Sequence, residues 1–146
     1  MLSYYIDTCI YLNLWQKEES YSGVEYWKAA QKFLEMCEEK KEIIYYSGFI
    51  LKELSFILNK REFVEKKVLF EGSPNFKRVI LSDKELSEAR KIEEEVNFEV
   101  SFYDIIHMIL ARKTNSILVT RDKRLMKISK KYNVNVKLPE ELIFNK

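Results

Sequence analysis

Four carboxylic acids stand inside or at the end of strongly apolar segments that are far apart along the chain: Asp7, Glu53, Asp104 and Asp122. Acidic residues that only solvate a surface rarely have such apolar neighbours. Carboxylate oxygens are the ligands that hard divalent cations such as Mg²⁺ and Mn²⁺ prefer. Because four acids gathered in one place would repel one another without a balancing cation, the pattern predicts one acidic metal site.

The chemistry of such a site is well defined. One ion, or two ions about 4 Å apart, can orient and deprotonate a water, polarise a phosphate and stabilise charge on the leaving oxygen. These steps together hydrolyse a phosphodiester without a protein nucleophile. The acidic residues therefore indicate a nuclease centre.

Each acid taken singly also has a local structural explanation. Asp7 is placed to cap a helix, Asp104 completes the capping pattern Ser101-x-x-Asp, and Asp122 stands in a first helical turn, where the dipole favours an anion. Glu53 could be a solvated helical residue. These alternatives stay open, but the occurrence of all four acids in apolar segments favours one shared site over four unrelated local roles.

The elements that must position these acids alternate between strands and helices. Apolar runs predict strands at residues 2–6, 43–46, 78–81, 117–120 and 134–136. Helical spacing and capping residues predict helices at residues 9–15, 24–40, 47–58, 61–70, 82–95, 101–113 and 122–131. Such alternation is typical of an α/β fold, with a central parallel sheet of four to five strands covered by helices on both faces.

A parallel sheet gives the acids a place to meet. Functional groups gather outside the carboxyl ends of parallel strands, and Asp7 and Asp122 each follow a predicted strand. Glu53 lies two turns into the helix after the second strand. Asp104 lies in the first turn of a helix whose preceding segment, residues 96–100, could be extended. All four acids are thus expected at one cleft.

These segments resemble a known family. The chain is similar to the PIN-domain ribonucleases, and in size it resembles the toxins of VapBC toxin–antitoxin pairs. Four blocks in matching order carry the resemblance: residues 4–8 (Tyr-Tyr-Ile-Asp-Thr), 47–54 with Glu53, 101–107 with Asp104, and 118–125 with Thr120-Arg121-Asp122.

The resemblance implies a PIN-like three-layer α/β/α fold and a metal-dependent endoribonuclease that uses Mg or Mn to activate water. It implies that Asp7 and Asp104 are the principal ligands, and that Glu53 and Asp122 bind a second ion or hold waters. Thr8 and Thr120 would be polar support. By the same analogy, the partners are an RNA substrate, a VapB-like antitoxin and a second protomer in a homodimer.

Length and composition limit the other possibilities. The 146 residues, 47% of them hydrophobic, predict a single domain over residues 1–146. A net charge of +2 is too small for a nucleic-acid coat protein, so contacts to nucleic acid must be local. Arg121, Lys123 and Arg124 could hold substrate phosphates, although a merely solvated helix face explains them equally well.

The remaining reactive and aromatic residues favour structural roles. Cys9 and Cys37 form no C-x-x-C pair, so neither disulfides nor structural zinc are expected. His107, the sole histidine, is expected to make a structural hydrogen bond rather than to act as a base. Five aromatics near the N-terminus could stack bases, but burial in the core or against a partner is favoured: Tyr11, Trp15, Tyr21, Tyr26 and Trp27.

The sequence leaves some alternative functions open and disfavours others. A non-catalytic PIN-like scaffold that binds RNA or protein remains open, as does an RNA-processing nuclease outside any toxin–antitoxin pair. A phosphoacceptor domain is disfavoured, because it needs an acidic pair where Asp7 stands alone and a lysine where Thr120 stands. Three glycines cannot build a nucleotide-binding loop. With no basic leader and no apolar run of about 20 residues, a cytoplasmic protein without a membrane segment is expected.

Overall fold

The computed structural model describes residues 2–144, in which five strands form one sheet. The strands are β1 (Ser3–Ile6), β2 (Ile43–Tyr46), β3 (Phe76–Arg78), β4 (Ile117–Val119) and β5 (Val136–Lys137). All neighbours pair in parallel, in the order β3-β2-β1-β4-β5. The predicted α/β fold with a parallel central sheet flanked by helices is confirmed.

The strands are connected through helices, as parallel pairing requires. In chain order these helices are α1 (Thr8–Trp15), α2 (Tyr26–Glu39), α3 (Gly48–Ile57), α4 (Lys60–Gly72), α5 (Asp83–Glu95), α6 (Phe102–Lys113), α7 (Lys123–Lys131) and α8 (Pro139–Phe144). None of the helices described is long and apolar enough to cross a bilayer.

The apolar runs of the sequence become the centre of the sheet. Tyr4, Tyr5 and Ile6 of β1 are buried, as are all three residues of β4, because strands covered on both faces read as continuous apolar runs. Strand β3 stands at the edge, and two of its three residues are exposed. The buried strands β1 and β4 are thus the two that lead to Asp7 and Asp122.

Capping residues fix several helix boundaries. Ser47 caps α3 by accepting a hydrogen bond from Ile50 N. Ser82 and Glu85 form a reciprocal capping box at the start of α5, where the helix was predicted to begin. Asn59, which follows the predicted end of one helix at residue 58, caps the next helix by accepting from Glu62 N.

Two strand predictions were displaced. The strand expected at residues 78–81 lies at Phe76–Arg78, because its register with β2 ends where Tyr46 pairs Arg78. Ile80 is 73% exposed beyond that end. The last strand was expected at 134–136 and lies at Val136–Lys137.

The segment before Asp104 also differs from expectation. Residues 96–100 are not extended, since Asn97 and Phe98 adopt φ values of 54° and 57°. Phe98 N donates to Glu93 O, so the chain closes α5 with a left-handed turn and enters α6 directly. Helix α8 was not predicted; it is short and begins at Pro139, a favourable first helical residue.

Candidate metal centre

Two of the four acids follow neighbouring strands at the same edge of the sheet. Asp7 comes directly after β1, and Asp122 comes three residues after the end of β4. Ile6 is in register with Val119, and Asp7 N donates to Val119 O at 2.9 Å. The backbone pairing therefore fixes the spacing between the two chain segments that carry Asp7 and Asp122.

The carboxylate of Asp7 is buried and is not used to cap a helix. Asp7 occupies the N-cap position of α1 but makes no side-chain capping bond. Its Oδ2 instead accepts from Thr120 Oγ1 at 2.7 Å and from Cys9 Sγ at 3.3 Å. Burial, with Asp7 close by, raises the pKa of Cys9, so the group beside Asp7 is a thiol that can donate.

Glu53 reaches the same place from α3. Its Oε1 accepts from Thr8 Oγ1 at 2.9 Å and from His107 Nε2 at 2.5 Å. One ligand atom from each of Asp7, Glu53 and His107 lies within 4.8 Å of the others. Two acids that are 46 positions apart in sequence are thus neighbours in the fold.

His107 is a support for Glu53 rather than a free ligand. The ring is fully buried, with Nε2 on Glu53 and Nδ1 at 2.7 Å from Tyr5 Oη. Burial alone would lower the pKa of His107, but its hydrogen bond to Glu53 and the charge of Asp7 raise it overall. Both nitrogens are engaged, which leaves the carboxylates as the donors for an ion.

Asp104 is linked to this group through its charge. Ser101 Oγ caps α6 by accepting from the Asp104 backbone N–H at 3.1 Å. Burial, and then the charges of Asp7 and Asp122, raise the pKa of Asp104 to about 6, while His107 opposes the rise. Asp104 is therefore a carboxyl that is partly buried and also close to the negative charges of Asp7 and Asp122.

Asp122 combines a capping role with proximity to the other acids. It is the N-cap of α7, and its Oδ1 accepts from Arg124 N at 2.9 Å and Leu125 N at 3.2 Å. Its own N–H donates to Thr120 Oγ1 at 3.1 Å, the hydroxyl that also holds Asp7. Within residues 2–144, Oδ2 of Asp122 has no hydrogen-bond partner, so one oxygen is available to a ligand.

These residues fit a hard divalent cation. Asp7 and Glu53 present carboxylate oxygens within ion-binding range of each other. The pKa of Asp104 is raised first by burial and then by the charges of Asp7 and Asp122, and a bound divalent charge would oppose both effects. Oxygen donors and a shortage of soft ligands favour Mg²⁺ or Mn²⁺ over zinc.

The three basic residues predicted to contact phosphate, Arg121, Lys123 and Arg124, differ in whether their side chains already have partners. The Arg121 guanidinium donates through Nε to Asn13 at 2.8 Å and through both terminal nitrogens to Glu140 of α8. It also stacks 4.1 Å above the Tyr26 ring. Lys123 and Arg124, by contrast, are exposed at the start of α7.

The aromatic residues near the N-terminus divide between core and surface. Tyr11 is buried, Tyr21 is fully exposed and Trp27 lies beside two lysines. Trp15 stacks on Tyr11 at 5.4 Å. Trp15 also lines a cavity of about 1050 Å³ together with Leu14, Leu34, Leu69, Phe70 and Phe76.

Two supporting residues escaped the sequence analysis. Cys9 was interpreted only as a free thiol, and Tyr5 only as part of an apolar strand. Tyr5 stands two residues before Asp7, and residues two apart share a face of a strand. That spacing was the available signal that Tyr5 belongs beside the acids.

Comparison with known proteins places the chain in a family. The PIN domain model matches residues 4–131. The fold is similar to that of VapBC2 from Rickettsia felis bound to a DNA fragment from its promoter, at 20% identity and a TM-score of 0.64, covering 94% of this chain and 98% of that one. A sequence search of curated proteins found no match.

Two further solved structures have similar folds. FitAcB from Neisseria gonorrhoeae is 14% identical, with a TM-score of 0.61 and coverage of 94% of this chain and 98% of that chain. PAE2754 from Pyrobaculum aerophilum is 18% identical, with a TM-score of 0.54 and coverage of 99% and 96%. The resemblance that the sequence motifs indicated is confirmed, and the chain belongs to the PIN-domain family, whose members are generally nucleases.

Proposed function

We propose that this chain is a Mg²⁺- or Mn²⁺-dependent endoribonuclease of single-domain organisation over residues 1–146. One observation carries the proposal. Asp7 and Glu53, from separate elements, bring carboxylate oxygens together within 4.8 Å, and Asp104 beside them has a pKa raised to about 6. Such a concentration of acidic oxygens at the carboxyl ends of parallel strands is suited to binding a cation and a phosphodiester.

The four acids would have different roles in binding the ion. Asp7 and Asp104 would be the principal ligands, and Glu53 and Asp122 would hold a second ion or bound waters. When present, Mg²⁺ or Mn²⁺ supplies positive charge that polarises the phosphodiester and promotes ionisation of water. Thr120 keeps Asp7 oriented through its 2.7 Å hydrogen bond.

The second threonine supports the other side of the centre. Thr8 donates to Glu53 at 2.9 Å, so a residue of α1 holds a carboxylate of α3. Each threonine thus joins two segments that carry acids. This arrangement orients the ligands before an ion arrives, which lowers the cost of binding.

Substrate phosphates would be held beside the acids. Lys123 and Arg124 are exposed next to Asp122, and α7 continues with Lys127, Lys130 and Lys131. Arg121 would join them only after leaving Glu140 and Asn13. RNA binding through these side chains should weaken as salt rises.

The proposed biological setting is the cytoplasm, with the chain as the toxin of a VapBC-type pair. Support comes from the fold similarity to VapBC2 and FitAcB. The cavity lined by Trp15, Phe70 and Phe76 suits an apolar helix of an antitoxin, since such helices bind in grooves of this kind. A second protomer would cover the exposed apolar residues of α3 and α4, namely Phe56, Ile57, Val64, Val68 and Leu69.

The experiment compares cleavage of labelled RNA by the purified chain in EDTA, Mg²⁺ and Mn²⁺. Asp7→Asn and Asp104→Asn should abolish cleavage while keeping the fold, because each removes charge at nearly constant shape. Asp83→Asn is the matched control, since Asp83 is exposed in the first turn of α5. Full activity in either site variant, or cleavage in EDTA, would defeat the proposal.

Two further measurements separate the alternatives. A chain that binds RNA without cutting it in any metal is a scaffold, and DNA of the same sequence tests the choice of RNA. Growth arrest on expression that is relieved by co-expressing a short protein from a neighbouring gene would support the toxin role. Cleavage without growth arrest would favour RNA processing.

A further inference from the structure

A continuous line of buried hydrogen bonds runs from the candidate metal centre into the core. It begins at Glu53, whose Oε1 is 2.5 Å from His107 Nε2, and passes from His107 Nδ1 to Tyr5 Oη at 2.7 Å. Tyr5 Oη is also 2.7 Å from Ser47 Oγ, which accepts from Ile50 N. The side chains of Tyr5, Ser47 and His107 are 0% exposed. No water is needed to complete this path.

The direction of the first bond follows from its chemistry, because a glutamate carboxylate only accepts and His107 Nε2 must therefore donate to Glu53. When the ring is neutral, Nδ1 accepts from the Tyr5 hydroxyl, which in turn accepts from Ser47. When the ring is protonated, Nδ1 donates to Tyr5 Oη, which donates to Ser47 Oγ, so the path is complete in either state. Burial raises the pKa of Tyr5 well above its ordinary value, so the hydroxyl keeps its proton. Every polar atom of the path has a partner.

The path joins three elements that carry the acids. Both of its ends, Ser47 and Glu53, belong to α3 and its cap, whereas Tyr5 belongs to β1 and His107 to α6. Tyr5 lies on β1, the strand that leads directly into Asp7, so the path links the Glu53 carboxylate to the strand that positions Asp7. If the Tyr5 hydroxyl is removed, Nδ1 of His107 has no partner in a dry interior, and the ring loses the contact that orients it.

We propose that Tyr5 is a positioning residue for the metal centre, acting through His107 on the Glu53 carboxylate. The inference rests on the proposed metal-dependent function. Groups that orient a metal ligand from behind generally contribute about 10- to 100-fold to metal affinity. Tyr5→Phe is therefore expected to weaken Mn²⁺ binding by about tenfold or more.

The chain offers a closely matched control in the next residue. Tyr4 is 1% exposed on the same strand, and its hydroxyl donates to Glu42 at 3.4 Å. Tyr4→Phe thus removes the same atom from the same strand, but from a bond to an acid that does not contact the centre. Mn²⁺ affinity is measured by calorimetry on wild type, Tyr5→Phe and Tyr4→Phe, without any RNA.

A second measurement needs no metal. Because His107 is the sole histidine, nitrogen-labelled histidine gives the signals of one ring only. Wild type should carry a slowly exchanging proton on Nε2. That proton should exchange faster with solvent in Tyr5→Phe and remain slow in Tyr4→Phe.

The outcomes separate the positioning role of Tyr5 from the metal-dependent function on which it rests. Weaker Mn²⁺ binding and faster exchange in Tyr5→Phe alone support the positioning role. Equal affinity in both variants overturns it, as does a wild-type proton found on Nδ1 instead of Nε2. If the wild type binds no Mn²⁺, the proposed metal-dependent function is wrong. The proton-exchange measurement then tests by itself whether Tyr5 orients the His107 ring.

If Tyr5→Phe fails to fold, a variant at Ser47, the other end of the path, tests the same inference. Ser47→Ala removes the hydroxyl that faces Tyr5 and also a helix cap, so it is compared with Asn59→Ala, which removes the cap of α4. Weaker Mn²⁺ binding in Ser47→Ala alone supports the positioning path. Equal affinities in the two cap variants refute it.

Discussion

Replacing Asp104 with asparagine should stabilise the metal-free protein at neutral pH. The pKa of Asp104 is raised from 3.8 to about 6, chiefly by burial and then by Asp7 and Asp122. Each tenfold change in proton affinity is worth about 1.4 kcal/mol, so ionising this group costs the folded state up to about 3 kcal/mol. Partial solvent access reduces the expected gain in unfolding free energy to about 1–2 kcal/mol.

The sign of the pH dependence follows from the raised pKa. Below about pH 3 the carboxyl is protonated in both the folded and unfolded states, so it makes no charge-dependent difference to stability. As pH rises from about 4 to 6, the unfolded chain releases the proton more readily, so the stability of the wild type falls. The advantage of Asp104→Asn should be complete above pH 7 and shrink to about a third by pH 4.5.

Urea unfolding in EDTA at pH 7.5 and pH 4.5 measures this difference. Asp83→Asn is the control, because both residues lie in the first turn of a helix and lose the same dipole interaction. Added Mn²⁺ should reverse the order, since only the wild type retains the full ligand set. An Asp104→Asn variant that is less stable than wild type in EDTA at pH 7.5 would show that ionised Asp104 does not destabilise the metal-free fold, and the reasoning would fail.

Three further changes test other parts of the molecule. Ser82→Ala removes the capping box of α5 and should lower the unfolding free energy by about 1 kcal/mol with RNA cleavage unchanged; an unchanged urea midpoint would contradict the cap. Phe98→Gly should raise the unfolding free energy by about 1 kcal/mol, because Phe98 has a φ of 57°, which glycine adopts without strain, and its side chain is 65% exposed. A loss of stability would mean that packing of the Phe98 ring stabilises the fold by more than the backbone strain costs. The double change Lys123→Gln and Arg124→Gln should reduce the slope of log affinity against log salt by about 1.4 for single-stranded RNA, measured by fluorescence anisotropy. An unchanged slope would place the phosphates elsewhere.

The parts of the centre that sequence predicted are those set by local rules. Asp7 follows a wholly apolar strand and Asp122 caps the helix after another, and the parallel pairing of Ile6 with Val119 brings their positions together. Strand ends, helix caps and hydrophobic runs are determined by residues that are neighbours in sequence, so they can be predicted from it. The same rules found the cap at Ser82 and the helix that carries Asp104.

The parts that sequence missed depend on contacts between distant segments. The sequence predicted a structural hydrogen bond for His107, but its partner Tyr5 is 102 positions away and could not be identified from neighbouring residues. The left-handed turn at Asn97 and Phe98 lacks the glycine that usually marks such a turn. Arg121 was interpreted as a free cation because its partner, Glu140, lies on a short helix that was not predicted.

The position of the centre in the sheet limits how it can be switched off. Asp7 follows the middle strand, and its backbone N–H donates to Val119 on the adjoining strand, where the residues are buried. Separating the segments that carry Asp7 and Asp122 would therefore require breaking the central pairing of the sheet. An inhibitor of the proposed nuclease would accordingly act by covering the acids, and its release would restore the centre without refolding.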